Sequence, residues 1–268
     1  MHRFLALASL CLLLPISASC GGSTISGTTV LEGAPGGLTL QGTYFRQSSA
    51  EVLPTLILIH EGGPGHARSD FDPAWSLLEN QGFNLLAVDL RSHGDSDVAG
   101  SPDDLRLDAT GYPVDLLTWL DFLNDRSDAG DPVSSDRIGI IGLGVGASLA
   151  VGAIQRGQVN CAVAISPRVD EVEALRVGLP YLGAAGDDDD SAGDDDDSAG
   201  GEELDDITDT AFIDGTGAGS ADDTQALYDL SVEPRSILLV DGPQSGALIL
   251  DDFTDALAVV GAWCSDRL

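Results

Sequence analysis

The sequence predicts an α/β protein built on a doubly wound, mainly parallel sheet with helices on both faces. Apolar segments of strand length alternate with segments of helical periodicity, and the links between them are short. Most strand segments are continuously apolar, which is typical of strands covered on both faces. Hydrophobic residues make up 43% of the chain, which is enough for a core and excludes a chain that is disordered throughout.

The strands are predicted from their apolar pattern. The first, residues 37–46, alternates between apolar and polar side chains, which indicates an exposed strand. The others are continuous apolar runs, over residues 53–60, 83–90, 137–142, 161–166 and 236–240.

The helices are predicted from caps and periodicity. Asp72 and Pro73 begin the first one, since Asp is a favoured cap and Pro suits the first helical turn. Residues 114–123 have the apolar spacing of a helix that buries one face. Further helices are expected over residues 146–156, 222–230 and 251–264.

The charge of the chain is strongly negative. Asp and Glu total 44 against 12 basic residues, which gives a net charge of −32. Every basic residue is Arg, and no stretch of the chain concentrates them into a basic patch. Nucleic acid is therefore excluded as a partner, because its binding depends on basic side chains that neutralise phosphates.

Two identical repeats, GDDDDSA, occupy residues 186–192 and 193–199. Like-charge repulsion keeps such a segment extended, so residues 186–221 are predicted to be a solvated insertion. Calcium binding is the alternative, because carboxylates are suitable ligands. The run has neither the EF-hand spacing nor the glycine pattern of calcium-binding β-rolls, which favours the solvated insertion.

The N-terminus has the pattern of an export signal that ends at a cysteine. Arg3 is followed by an apolar run over residues 4–16 and by small residues up to Cys20. The run is too short for a transmembrane helix. Residues 17–21, SASCG, resemble a bacterial lipobox, which implies a signal peptide over residues 1–19 and a lipid on Cys20.

This pattern predicts an exported lipoprotein of the cell envelope, whose membrane contact is the lipidated Cys20. Residues 20–36, rich in Gly, Ser and Thr, would be its tether. In a Gram-negative source, Gly21 after the cysteine implies the outer membrane. The alternative is a secreted or periplasmic soluble protein, because the small residues also suit ordinary signal cleavage.

Two cysteines, Cys161 and Cys264, would remain as thiols after export. An oxidising envelope permits a disulfide between them. Two separate buried thiols are the equal alternative, since cysteine also serves as a small apolar side chain.

Two motifs resemble those of α/β-hydrolases. Residues 56–65, LILIHEGGPG, resemble the strand and oxyanion loop of that family, and residues 87–96, AVDLRSHGDS, resemble its D-x-R-G-H-G-x-S loop. The resemblance is closest to the dienelactone-hydrolase-like and small esterase branches. It implies an α/β-hydrolase-type domain over residues 37–264, interrupted by the acidic insertion.

The resemblance also implies where the catalytic triad should lie. The family's serine occupies a G-x-S-x-G turn between a strand and a helix. Here residues 142–146 read GLGVG, so Gly144 stands in the place of the serine. Ser245 stands where the base histidine should follow the last strand. A strand-like segment at residues 179–184 resembles the one before the family's acid, which assigns the acid to one of residues 187–190, preferably Asp189.

Two of the three triad side chains are therefore missing, which predicts a non-catalytic binding or structural module. His60, Glu61, Gly62 and Val145 are the candidates for the oxyanion loop and pocket, where a small molecule would bind. Neither a metal nor a cofactor is predicted.

Three alternatives to this hypothesis remain open. The first is an active esterase or other hydrolase with a non-standard nucleophile, for which Ser92 and Ser96 beside His93, and Ser148 after the turn, are candidates. A zinc site at His60 and His66 is disfavoured, because the Gly-Gly-Pro-Gly between them forbids the helix that a zinc-protease motif requires.

The remaining alternative is a dinucleotide-binding oxidoreductase. Residues 142–147, GLGVGA, fit the G-x-G-x-x-G/A fingerprint after an apolar strand. The context disfavours it, because that fingerprint normally opens its domain and here three strands precede it. The acidic residue expected at the end of the next strand is also missing.

Overall fold

The computed structural model describes residues 27–182, 207–252 and 254–268. Its strands are β1 (Thr28–Ala34), β2 (Leu38–Phe45), β3 (Leu53–Ile59), β4 (Asn84–Val88), β5 (Val133–Leu143), β6 (Cys161–Ile165), β7 (Thr210–Gly215) and β8 (Arg235–Val240). Its helices are α1 (Asp72–Glu79), α2 (Pro102–Leu105), α3 (Tyr112–Asp128), α4 (Val145–Gln155), α5 (Val169–Arg176), α6 (Ala221–Leu230), α7 (Ala247–Asp252) and α8 (Thr254–Ser265).

The strands form one sheet in the order β1-β2-β4-β3-β5-β6-β7-β8. Strand β2 pairs antiparallel with β1 and β4, and all other pairs are parallel. Because β3 lies between β4 and β5, the chain winds outward from the centre of the sheet in both directions. This confirms the predicted doubly wound, mainly parallel sheet.

Both faces of the sheet are covered, which explains the continuous apolar runs. On β3, Ile57 and Ile59 join a cluster around Trp119, while Leu56 and Leu58 join another around Trp75. All four strand side chains are fully buried. Neighbouring strand residues point to opposite faces, so a strand between two helical layers must be apolar at every position.

The boundaries of the sheet differ from those predicted. Strand β1 lies within the predicted tether, because an edge strand that buries only Val30 and Ala34 has a polar composition. Strand β7 lies within the predicted acidic insertion, where a run of only six residues between polar segments gives a weak signal. Residues 179–182, the described part of the strand expected over 179–184, form no strand.

Several other sequence predictions fall on residues that the structure does not describe. They concern the signal peptide over residues 1–19, the lipid on Cys20 and the acidic repeats with Asp189. Within the described ranges, no helix has both the length and the apolarity needed to cross a membrane.

Candidate functional site

The turn between β5 and α4 has the sharp strand-to-helix geometry of a nucleophile elbow. Gly144, at its tip, has φ 52° and ψ −115°, a conformation with positive φ that a residue without a Cβ adopts at little cost. A Cβ on Gly142 would lie 2.1 Å from the carbonyl oxygen of Gly146, and one on Gly146 would lie 2.4 Å from that of Ile59. The flanking glycines are therefore required by the close approach of α4 to the sheet.

The side chain of Glu61 fills the space in front of this turn. A Cβ on Gly144 would lie 2.8 Å from Glu61 Cγ, and a Cβ on Gly246, which has φ 54°, would lie 2.0 Å from Glu61 Oε2. The backbone N–H of Ala247 donates a hydrogen bond of 3.1 Å to the same oxygen. Glu61 thus joins the loop after β3 to the turn before α4 and to the start of α7.

The surroundings of Glu61 suit a negative charge. Its carboxylate lies at the N-terminal end of α7 and close to that of α4, whose cap residue, Gly144, provides no side-chain hydrogen bond. Helix N-termini favour anions because their first N–H groups have no partner within the helix.

The loop between β8 and α7 contains Ser245 and is held from two neighbouring strands. The hydroxyl of Ser166, which follows β6, accepts a bond of 2.8 Å from the Gly246 N–H and donates one of 2.7 Å to Asp214 Oδ1. The Thr224 hydroxyl donates to the other Asp214 oxygen at 2.8 Å. Ser166 and Asp214 are buried, so this relay sets the position of the loop.

Sequence reasoning did not identify Ser166 or Asp214 as residues that position the site. Asp214 lies at the end of the short strand β7, in the segment AFIDG, which the prediction had placed in the insertion. The apolar run AFI before an acidic residue and a glycine was the signal available.

The segment after β7 packs against the loop that contains Ser245. The Gly217 N–H donates to the Gly242 carbonyl oxygen at 2.8 Å, and the Gly242 N–H donates to the Thr216 hydroxyl at 3.3 Å. In the family's chain order, the acid comes between the nucleophile and the base. Residues 216–220, which follow β7, lie in that interval and include no acidic residue, whereas the acid predicted at residues 187–190 lies outside the described residues.

Two histidines brace the loops after β3 and β4. The Leu90 N–H donates to His60 Nε2 at 3.1 Å, and His60 Nδ1 lies 2.6 Å from the Glu61 carbonyl oxygen. The Gly63 N–H donates to His93 Nε2 at 3.2 Å, and His93 Nδ1 lies 3.0 Å from the Arg91 carbonyl oxygen. Each ring therefore carries its proton on Nδ1 and donates it to a carbonyl oxygen.

Both histidines are held neutral by their surroundings. Burial and, to a smaller extent, the neighbouring His93 ring, whose centroid lies 4.6 Å away, together lower the pKa of His60 to about 3. Burial also lowers the pKa of His93. Protonation of Nε2 would break the hydrogen bond that each ring accepts there, from the Leu90 N–H in His60 and from the Gly63 N–H in His93. Both rings therefore stabilise the two loops and are not placed for proton transfer.

The candidate serine nucleophiles are all engaged in structural bonds. Ser92 Oγ accepts from the N–H groups of Ala99 and Gly100, and Ser96 Oγ donates to the Asp89 carbonyl oxygen at 2.7 Å. Ser148 Oγ donates to Glu171 Oε2 at 2.9 Å. None of these hydroxyls has a hydrogen bond to a histidine among the described residues.

A cavity of about 310 Å³ opens above the turn at Gly144, at the carboxyl ends of the strands. Five of the residues that line it were predicted for the pocket or the triad from sequence, namely Glu61, Gly62, Gly144, Val145 and Ser245. His60 does not line the cavity, so its assignment to the pocket was wrong: its side chain is fully buried beneath the loop. The full lining is Glu61, Gly62, Arg106, Gly144, Val145, Ser166, Arg168, Glu171, Gly219, Ser220 and Ser245.

The two cysteines meet at the opposite end of the sheet. The Sγ atoms of Cys161, at the start of β6, and Cys264, in α8, are 3.5 Å apart, and both side chains are fully buried as free thiols. The hydrogen bond with Cys161 and burial together raise the pKa of the Cys264 thiol. The structure therefore brings the predicted pair together, and its oxidation state stays a prediction.

The other ligand classes considered from sequence find little support in the geometry. Within the described ranges, no group of three or more His, Cys, Asp or Glu side chains is arranged to hold a metal ion. The glycines of the dinucleotide fingerprint are explained by the packing of α4. Glu61 also occupies the space in front of that helix, where the fingerprint would place a pyrophosphate.

No family model matches the chain, and no curated protein matches it. Solved structures do. An esterase from Pyrococcus furiosus, Pf2001, is 19% identical with a TM-score of 0.64, over 90% of this chain and 93% of the esterase. The hypothetical protein PA2218 from Pseudomonas aeruginosa is 16% identical with a TM-score of 0.64, over 95% of this chain and 96% of its own.

An α/β serine hydrolase homologue from Coxiella burnetii is 14% identical, with a TM-score of 0.60 over 90% of this chain and 99% of its own. At such identities the likeness establishes the fold, and it agrees with the strand order and the sharp turn at Gly144. The chain has the α/β-hydrolase fold.

Proposed function

We propose that this protein is a non-hydrolytic relative of the α/β-hydrolases that binds a small molecule in the cavity above Gly144. The contact of Glu61 with both Gly144 and Gly246 carries the proposal. The Glu61 carboxylate occupies the space in front of Gly144 and Gly246, where a hydrolase needs room for the side chains of its nucleophile and its base. Within the family, the motifs at residues 56–65 and 87–96 favour the dienelactone-hydrolase-like and small esterase branches.

The chemistry of ester hydrolysis needs side chains that this site does not provide. A serine-type hydrolase forms a covalent bond through an activated oxygen and passes the proton to an imidazole. Gly144 has no side-chain oxygen, and Ser245 has no group with a pKa near neutrality. Loss of a single triad member already lowers the rate by orders of magnitude.

We further propose that Cys20 anchors the protein to the cell envelope through a lipid. The apolar run, the small residues before Cys20 and the tether rich in Gly, Ser and Thr support this. The net charge of −32 would hold the domain away from an anionic leaflet. Metabolic labelling with a fatty acid, compared between wild type and Cys20→Ala, tests the anchor: label that persists in the variant contradicts it.

Turnover of activated esters tests the absence of hydrolysis. Nitrophenyl esters of short and medium acyl chains should be hydrolysed no faster with the purified protein than in buffer. Turnover abolished by Ser92→Ala, Ser148→Ala or Glu61→Gln would contradict the proposal and support an active hydrolase with a non-standard nucleophile. Glu61→Gln is included because its carboxylate is a candidate general base that faces the cavity.

A rescue series tests whether the site is a vacated triad. Gly144→Ser with Ser245→His should stay inactive, because Glu61 occupies the space that the new serine requires. Adding Glu61→Gly should give turnover above that of the double variant. Equal rates in the double and triple variants would show that residues 144 and 245 do not occupy the positions of a nucleophile and its base.

A further inference from the structure

We propose that the ligand of this cavity is a small zwitterion, with an ammonium group bound by Glu61 and a carboxylate bound by Arg168. The inference rests on the proposed function, since an active esterase would need the same space for an acyl group. It is carried by the two charged side chains in the lining that form no ion pair with another lining residue.

Four charged side chains line the cavity, and two of them neutralise each other. Arg106 donates to Glu171 Oε1 through both Nε and Nη2, and Ser148 donates to the other carboxylate oxygen. Glu171 is buried, so this cluster forms part of the wall. Its hydrogen bonds leave Glu171 no free oxygen for a ligand.

Glu61 and Arg168 differ from that pair. Glu61 Oε2 accepts one bond, from the Ala247 N–H, while Oε1 has no hydrogen-bond partner among the described residues. Arg168 makes one side-chain contact, from Nε to Asp170 at 3.4 Å, and its terminal nitrogens have no partner in the described part of the chain. The Arg168 side chain is 47% exposed, and Glu61 is half-buried, so a ligand can reach both.

The rest of the lining also favours a polar ligand. Val145 is the only apolar side chain among the lining residues, while Ser220 and Ser245 supply hydroxyls. The Ser220 hydroxyl oxygen is buried and has no hydrogen-bond partner among the described residues. An acyl chain would leave these groups unpaired, and unpaired buried polar groups cost free energy.

Charge narrows the class of ligand further. A simple anion would pair with Arg168 but face the Glu61 carboxylate and the field of a protein with a net charge of −32. A simple cation would offer no acceptor to the terminal nitrogens of Arg168. A neutral polar molecule would reach the serines and pair neither charge. A small zwitterion satisfies both charged side chains and fits a volume of about 310 Å³.

Calorimetric titration with matched probes tests the proposal. The zwitterions are glycine, β-alanine, 4-aminobutyrate and 5-aminopentanoate, which differ in the separation of their charges. Butylamine and butyrate carry one charge each. We expect at least one zwitterion to bind in the millimolar range or tighter, at least about tenfold more tightly than either single-charge probe.

Variants then assign the binding to the two side chains. Glu61→Gln and Arg168→Gln should each weaken the best zwitterion by about tenfold or more, because each removes a charged partner. The matched controls, Glu51→Gln and Arg46→Gln, alter exposed charges outside the cavity and should leave the affinity unchanged. Thermal unfolding of each variant checks that the fold persists.

The proposal is overturned if butylamine or butyrate binds as tightly as the zwitterions, if no zwitterion binds at millimolar concentration, or if the control variants weaken binding equally. Ester turnover is measured on the same samples. Turnover without zwitterion binding contradicts the proposed function as well, whereas absence of both contradicts the ligand class alone.

Discussion

The two halves of the sheet keep different parts of the α/β-hydrolase pattern. On the β3–β4 side, the loops hold His60, His93 and Arg91 in buried hydrogen bonds to backbone or carboxylate groups. On the β5–β8 side, the turn and loop that would carry a nucleophile and a base have Gly144 and Ser245 instead.

This difference between the two halves separates motif residues that stabilise the fold from motif residues that serve only catalysis. The β3–β4 residues satisfy buried polar groups, and their loss would leave those groups unpaired. A triad contributes to catalysis and not to these bonds, so its side chains can be missing while the sheet and the sharp turn persist. The four predictions below test this contrast, from the largest expected effect to the smallest.

Loss of the buried carboxylate Asp115 should have the largest effect. It accepts bonds from the N–H, Nε and Nη2 of Arg91, and Arg91 would otherwise keep a buried charge without a partner. We expect Asp115→Ala to lower the free energy of unfolding by about 3–5 kcal/mol in urea denaturation. The control Asp95→Ala, whose side chain is 63% exposed, should cost below about 1 kcal/mol. Equal losses would contradict the structural role of the pair.

A disulfide bond between Cys161 and Cys264 should have the next largest effect on stability. The sulfurs are 3.5 Å apart, so a thiol-disulfide oxidant should join them with loss of two hydrogens and without large movement. A bond between β6 and α8 should raise the free energy of unfolding by about 3 kcal/mol, chiefly by restricting the unfolded chain. Intact mass with and without reductant detects the bond. Full alkylation of both thiols in denatured, non-reduced protein would contradict it.

A Cβ at Gly144 should lower the free energy of unfolding by a smaller amount, and the size of this loss should depend on the Glu61 side chain. Gly144→Ser meets Glu61 Cγ at 2.8 Å and adopts a positive φ, which together should cost about 2–3 kcal/mol. In a Glu61→Gly background the cost should fall to the backbone strain of about 1 kcal/mol. A double-mutant cycle by urea denaturation measures the coupling. Additive effects would contradict the contact.

Acid should weaken the β3–β4 side gradually. The folded pKa of His60 is about 3, below the ordinary unfolded value, so the unfolded chain binds more protons between those values and stability is lost as pH falls through that window. Burial lowers the pKa of His93, which acts in the same direction. The raised pKa values of Asp89 and Asp115, caused by burial, act in the opposite direction.

A comparison of variants isolates the histidine contribution. Between pH 6 and 5, the buried neutral ring of His60 should lower the free energy of unfolding by about 1 kcal/mol per pH unit. His60→Gln should reduce this slope relative to wild type in urea denaturation. His66→Gln, which replaces a partly exposed ring, is the control. An unchanged slope in His60→Gln would contradict the assignment of His60 as a buried neutral ring.

Much of the fold could be predicted because its signals are local. The continuous apolar runs at residues 53–60 and 137–142 are required by burial on both faces, and Gly144 between an apolar run and a helix indicates a sharp turn. Strand β7 was missed because six residues between polar segments have a composition that also suits a loop.

Part of the site could not be predicted, because it depends on residues that are distant in sequence. Glu61 was assigned to the pocket, but nothing around it in sequence indicates its contacts with Gly144, Gly246 and Ala247. His60, beside it, has the same local signal and lies outside the cavity, since its ring turns toward the Leu90 N–H.

The amino-acid sequence alone determined the class of sheet and the sharp turn with a glycine at its tip, and it predicts that a triad serine and histidine are missing. Periodicity and residue identity suffice for these, since each depends on a short segment. Only the tertiary structure decided which side chain fills the space in front of that turn. The carboxyl ends of parallel strands bring Glu61, Gly144, Ser166 and Gly246 together, and which side chain fills the space between them depends on backbone conformation at every one of those loops.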